Sequence, residues 1–195
     1  MFIGEHFFKV AGHEGSCNMT VATHDLTFNG GLLERGFWLY VWEITTPEKA
    51  HIYYYVGRTG DSSSLNAQSP FNRMGQHLGF RKQSNALRRL LKAKEVEPEQ
   101  CVFRLIAHGP IMEEGTTREE HRPRRDRIAA LEKALADGLT DAGYDVINMV
   151  NSRAPLDPDT FASVLTAFAS RFPNLRPPAV SGPMQRRAFR EELQG

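Results

Sequence analysis

An α+β fold, a small antiparallel sheet flanked by helices, is predicted for this 195-residue chain by three observations. Two runs dense in aromatic and β-branched residues, FWLYVWEI from Phe37 and HIYYYVGRT from His51, follow one another across the turn-forming TTPEKA. A third such run, CVFRLIAHG, begins at Cys101. Between and after these runs, apolar residues recur at helical spacing. With 41% apolar and 24% charged positions, the chain can bury one solid core, so one domain with extensions is expected.

Residues 1–35 read as an N-terminal extension, in which VATHDLTF has strand character while GHEGSCN and NGG have the chemistry of loops. The first two runs predict a hairpin that sets Tyr40 and Tyr55 on neighbouring strands. GDSSSLNAQSP is polar and aperiodic. In FNRMGQHLGF, Phe71, Met74 and Leu78 repeat at helical spacing, which puts Arg73 and His77 together on the opposite face. Ser84 is placed to cap a helix whose buried stripe is Ala86, Leu87, Leu90 and Leu91, with the basic residues pointing outward. After the third strand, RDRIAALEKALADGL predicts a long amphipathic helix ending near Gly143, and YDVINMV a short extended segment. Pro155, Pro158 and Asp159 open a further helix, and its apolar face of Phe161, Val164, Leu165, Phe168 and Phe172 must dock on something. The proline-rich and then charged remainder predicts a tail.

No apolar run approaches the roughly 20 residues that span a bilayer, and Glu5 and His6 interrupt the opening MFIGEHFFKV where a signal peptide needs apolar length. A soluble, cytoplasmic protein with no membrane partner is the expectation. Cys17 and Cys101 lie far apart in the chain and are expected as reduced thiols. The spacing of His6, His13, Cys17 and His24 lacks the close ligand pairs of structural zinc sites. VGRTGDSSS lacks the Gly-Lys-Ser/Thr ending of a phosphate-binding loop. A net charge of +1 argues against a strongly electrostatic nucleic-acid binder, but the charge is unevenly spread. Arg81, Lys82, Arg88, Arg89, Lys92 and Lys94 occur within RKQSNALRRLLKAK with no acid among them. Further basic clusters run from Arg118 to Arg127 and over Arg186, Arg187 and Arg190. Each is either a phosphate grip or an ordinary solvated helix face.

Glu132 carries the clearest signal from spacing alone. The apolar positions of its helix are Ile128, Leu131, Leu135 and Leu139, and Glu132 stands one turn from Ile128 and from Ala136. A carboxylate beside a core-facing stripe is costly to desolvate unless a cation or hydrogen bonds meet it, so a partner is expected. One such carboxylate can ligate Mg²⁺ or Mn²⁺, an arginine can add a forked donor to phosphate oxygens, and a tyrosine or histidine can take a proton from water. That combination suits metal-assisted phosphodiester hydrolysis.

The order of these residues resembles the catalytic core of the GIY-YIG nuclease family over roughly residues 36 to 150. The two tripeptides of that family are matched by WLY, ending at Tyr40, and YVG, beginning at Tyr55, with Trp38 standing where the first has glycine. Arg58 matches the basic residue after the second tripeptide, Arg73 and His77 the Arg and His of the following helix, Glu132 the metal-binding Glu, and Asn148 the closing Asn. The segment between Gly57 and Arg73 is longer than in the compact family form, as an insertion would make it. The resemblance implies a divalent-metal-dependent endonuclease acting on DNA, most simply double-stranded, with Tyr40, Tyr55, Arg58, Arg73, His77, Glu132 and Asn148 catalytic. Either Tyr40 or His77 is the general base. Arg81, Lys82, Arg88, Arg89 and Lys92 would hold the nucleic acid. Few extensions around the core suggest a restriction or defence enzyme; the alternatives are a binding module that does not cut, or a nuclease for RNA or single strands.

Overall fold

The computed structural model describes residues 23–47, 51–61, 65–81 and 85–176. Its centre is a three-stranded antiparallel sheet in the order β2-β1-β3, with β1 Phe37–Thr45, β2 Ile52–Arg58 and β3 Val102–Met112. Around it lie α1 Pro70–Leu78, α2 Ala86–Ala93, α3 Arg118–Asp141 and α4 Pro158–Ala169. This is the expected α+β arrangement. Among the described residues, no helix is long and apolar enough to cross a membrane.

The unbroken apolar character of FWLYVWEI follows from its place. β1 is the middle strand, and both of its faces are covered. Phe37, Leu39 and Val41 meet Ile128, Leu131, Leu135 and Leu139 of α3 together with Phe161, Val164 and Phe168 of α4. Alternate residues Tyr40, Trp42 and Ile44 face the other way, towards Leu87 and Leu91 of α2. The α4 face that needs a partner therefore docks in the same core as β1 and α3. Arg171, just beyond α4, closes a bidentate ion pair with Glu43 of β1.

Several boundaries differ from those expected. β3 continues past Gly109 and Pro110 to Met112, which a proline permits because β3 is an edge strand. α3 begins at Arg118 instead of Arg125, running through Pro123. Thr117 caps it, accepting from Glu120 N at 3.3 Å, while the Glu120 carboxylate accepts from Thr116 N at 2.9 Å. This Thr-x-x-Glu capping arrangement starts the helix early enough that Pro123 falls inside it, where the proline gives up the hydrogen bond its N–H would make to Glu119 O. The segment at 145–148 is extended as expected and runs parallel along the open edge of β2, with Tyr54 N donating to Asp145 O and Ile147 N to Tyr54 O, both at 2.8 Å. The residue before α2 is Asn85, which makes no side-chain cap. The expected cap Ser84, together with Lys82, His6, His13, Cys17 and the basic cluster Arg186 to Arg190, lies outside the described residues.

Candidate active site

Strand pairing sets Tyr40 opposite Gly57, and that pairing explains the glycine. A Cβ on Gly57 would lie 2.6 Å from Cζ of the Tyr40 ring and 2.7 Å from its hydroxyl oxygen. Only glycine lets the ring lie flat across β2. The hydroxyl then reaches His77 of α1, its oxygen 2.6 Å from Nε2, and lies 3.2 Å from the backbone oxygen of Arg58. Tyr55, two residues before Gly57 on the same strand, stacks edge-on against the same imidazole with ring centroids 5.0 Å apart. Trp38 finds its space on the opposite neighbour: its indole packs on Gly109 of β3, where a Cβ would come within 2.8 Å.

The buried face of α1 differs from the one its spacing predicts. Apart from Pro70 at its start, His77 is the buried residue of the helix, turned to the sheet, whereas Phe71 is half-buried and Met74 and Leu78, also half-buried, pack at the margin of the same core. The Tyr40 hydroxyl supplies the polar partner that stabilises an inward histidine. Arg73, one turn earlier, donates through Nη2 to Asp61 Oδ2 at 2.8 Å and through Nη1 to Gln76 Oε1 at 2.8 Å. Gln76 in turn donates to Gln68 Oε1 at 2.6 Å. Asp61 and Gln68 both belong to the polar stretch before α1, so that stretch holds the arginine in place. Nothing in the spacing singles out either residue.

Glu132 meets the cation its position requires. Arg58, the last residue of β2, places Nε 3.0 Å from Glu132 Oε2, and its Nη1 donates to the backbone oxygen of Arg125, two turns earlier on the same helix. Glu132 also lines a cleft of 470 Å³ at the β2 edge of the sheet, together with Tyr55, Asn148 and Arg89. Tyr40 is enclosed behind this wall, at 1% exposure. Asn148 directs its amide to β2: Oδ1 accepts from Val56 N at 2.9 Å and Nδ2 donates to Val56 O at 2.8 Å. It acts as a backbone surrogate that fixes the strand between Tyr55 and Gly57.

Burial sets the protonation states. It pushes the Tyr40 hydroxyl far above its ordinary range, a rise only partly opposed by the Arg73 guanidinium. Tyr55 is pushed up to about 12, by burial first and then by Glu132. His77 is pushed down to about 4 by burial and by Arg73, so its ring is neutral at neutral pH. Glu132 is raised to about 7 by burial, with Arg58 working in the other direction. A phenolate at Tyr40 is thus disfavoured in the protein by itself, and a neutral imidazole beside it is favoured.

The basic run of α2 divides. Arg88 is paired with Glu99 and stacks its guanidinium 4.2 Å over the Phe80 ring, and Lys92 is paired with Glu97. Both acids follow α2, around the 3-10 turn Pro98–Gln100. Among the described residues of the run, Arg89 alone lines the cleft, and Arg81 is exposed outside it.

Glu132 is the carboxylate that could hold a hard divalent cation: it lines the cleft while Arg58 pairs with its Oε2, and an Mg²⁺-like ion binds through one or two carboxylates while keeping most of its waters. Among the described residues no group of three or more His, Cys, Asp or Glu side chains gathers, so Glu132 would be its protein ligand. No protein-family model matches the chain, and neither the curated proteins nor the solved structures contain a significant match to it.

Proposed function

We propose that this chain is a divalent-metal-dependent endonuclease that hydrolyses phosphodiester bonds in DNA, as the GIY-YIG family it resembles does, and that double-stranded DNA is its substrate. The observation that carries the reading is convergence: Tyr40, Tyr55, Arg58, His77 and Glu132, from two strands and two helices, are drawn together by the 2.6 Å Tyr40–His77 contact, the Tyr55–His77 stacking and the 3.0 Å Arg58–Glu132 pair, and Tyr55 and Glu132 of this group line the cleft. A structural explanation accounts for any one of these contacts. It does not account for an ionisable carboxylate and an arginine lining one cleft with a buried tyrosine–histidine pair beside it.

In this reading a phosphate enters the cleft beside Glu132. A divalent ion held by Glu132 supplies positive charge against the oxygens on which negative charge builds. Arg73 is a second cation for the same charge, preoriented by Asp61 and Gln76. Neutral His77 accepts the Tyr40 proton at Nε2 and the Tyr40 oxygen takes one from the water that attacks phosphorus, while the P–O bond to the leaving sugar oxygen breaks and that oxygen takes a proton from solvent water. Asn148 and Gly57 keep β2 in the register that holds both tyrosines.

Supercoiled plasmid incubated with the protein and Mg²⁺ should be nicked or linearised, and excess chelator should abolish this. Glu132→Gln should keep the fold and lose about a hundredfold or more in rate, the scale of removing one dominant transition-state charge interaction. Tyr40→Phe should lose rate with little change in DNA affinity. Cleavage by the wild type in excess chelator, or undiminished cleavage by Glu132→Gln, overturns the assignment.

A further inference from the structure

Resting on the nuclease reading above, we infer that an arginine stripe along the N-terminal half of α3, and not the ion-paired Arg88 and Lys92 of α2, is the track that grips the phosphate backbone leading into the cleft. Successive residues of an α-helix advance by about 100°, so Arg118, Arg122, Arg125 and Glu132 fall within an arc about 80° wide on one side of α3. The arginines therefore stand in line with the carboxylate of the candidate active site. Arg118, Arg122 and Arg125 also line a surface cleft of 490 Å³ of their own, beside Glu119.

Ion pairing separates this stripe from the other arginines of the helix. Arg124 turns to the Glu113 carbonyl and the Glu120 carboxylate, and Arg127 to Asp157. Arg125 is held by Asp126 at 3.0 Å, while its backbone oxygen receives Arg58. Arg118 and Arg122 are exposed, and no ion pair or hydrogen bond engages either guanidinium among the described residues. Their charge is open to a ligand, whereas that of Arg88 and Lys92 on α2 is already met by Glu99 and Glu97. At about 1.5 Å per residue, Arg118 stands about 21 Å along the axis from Glu132, the rise of about six base pairs at about 3.4 Å each. A duplex lying along α3 with its scissile phosphate at Glu132 thus extends over the whole stripe, and Arg118 and Arg122 meet the phosphates of whichever strand faces the helix there. The early start of α3 at Thr117 is what brings Arg118 and Arg122 into that line.

The test is binding of the full chain to a fluorescent duplex of about two helical turns in chelator, titrated across salt. Every arginine–phosphate interaction removed should flatten the log affinity against log salt slope by about 0.9, so Arg118→Ala with Arg122→Ala should flatten it by about 1.8. Arg118→Lys with Arg122→Lys should restore most of the slope. Arg104, exposed on β3 at the opposite edge of the sheet from the cleft, is the control, and Arg104→Ala should leave the slope unchanged. A wild-type slope in the double alanine variant, or an equal effect per arginine in Arg104→Ala, overturns the track. Should that occur while the wild type still cuts plasmid in Mg²⁺, the nuclease reading stands without it. A wild type that neither binds nor cuts duplex DNA overturns both.

Discussion

Gly57 shows how much a missing side chain can specify. Its Cα lies under the Tyr40 ring, and the close approach positions the hydroxyl 2.6 Å from His77. Gly57→Ala should therefore destabilise the protein by about 1–3 kcal/mol, the cost of overpacking a filled interior, and should depress cleavage further by tilting Tyr40 off His77. Thermal unfolding read together with plasmid cleavage checks this; a variant with normal stability and normal rate would show that the ring position is unimportant. The tripeptide containing this glycine is visible in the sequence, but its reason is not. A strand glycine reads locally as a weak point, and only the opposite strand reveals what occupies the space. The same holds for Trp38, whose bulk is accommodated by Gly109, distant in sequence and adjacent across β1 and β3.

At the level of elements, α2 and α3 differ in what their arginines meet. The stripe of Leu87 and Leu91 in α2 is legible from periodicity, and both residues are fully buried. The fate of the outward charges is not, because Glu97 and Glu99 come after the helix and return to Lys92 and Arg88 only once the following turn forms. Removing Arg89, which faces the cleft, should flatten the salt slope of DNA binding by about 0.9, while Arg88→Ala should leave it nearly unchanged. Fluorescence titrations of the two variants side by side decide between them, and equal effects would return the whole run to the role of phosphate grip. α1 carries a similar lesson. A histidine reads as polar and outward, and the partner that lets it turn inward is a tyrosine from another element.

Across the whole molecule, the two shifted groups of the site oppose one another. His77 resists protonation in the folded protein down to about pH 4, against an ordinary value of 6.5, so the unfolded chain binds more protons between those limits. Its contribution to stability is lost as pH falls from 6.5 towards 4. Glu132 holds its proton up to about pH 7, against an ordinary 4.5, so the folded chain binds more protons between those limits, and its contribution is lost as pH rises from 4.5 through 7. Each amounts to on the order of 3 kcal/mol, at about 1.4 kcal/mol per pH unit of displacement. In chelator the wild type should therefore show little net change from these groups between about pH 4 and 7. Glu132→Gln should leave the His77 contribution exposed, with stability falling as pH drops, and His77→Gln should show the reverse. Urea unfolding at several pH values measures this; parallel profiles for all three proteins would refute the opposition.

The sequence by itself determined the elements and their order. The hairpin, the third strand, the stripes of α2, α3 and α4, and the need of Glu132 for a counter-charge all follow from local periodicity and from the cost of burying charge. Tertiary structure decided which partner answers each need. Arg58 for Glu132, Asp61 for Arg73, Val56 for Asn148 and the Tyr40 hydroxyl for His77 are long-range pairings made by the sheet register and by the packing of helices on its two faces. Residue spacing within one element carries no information about the distance to another, so these pairings exist only once β2, α1 and α3 pack together.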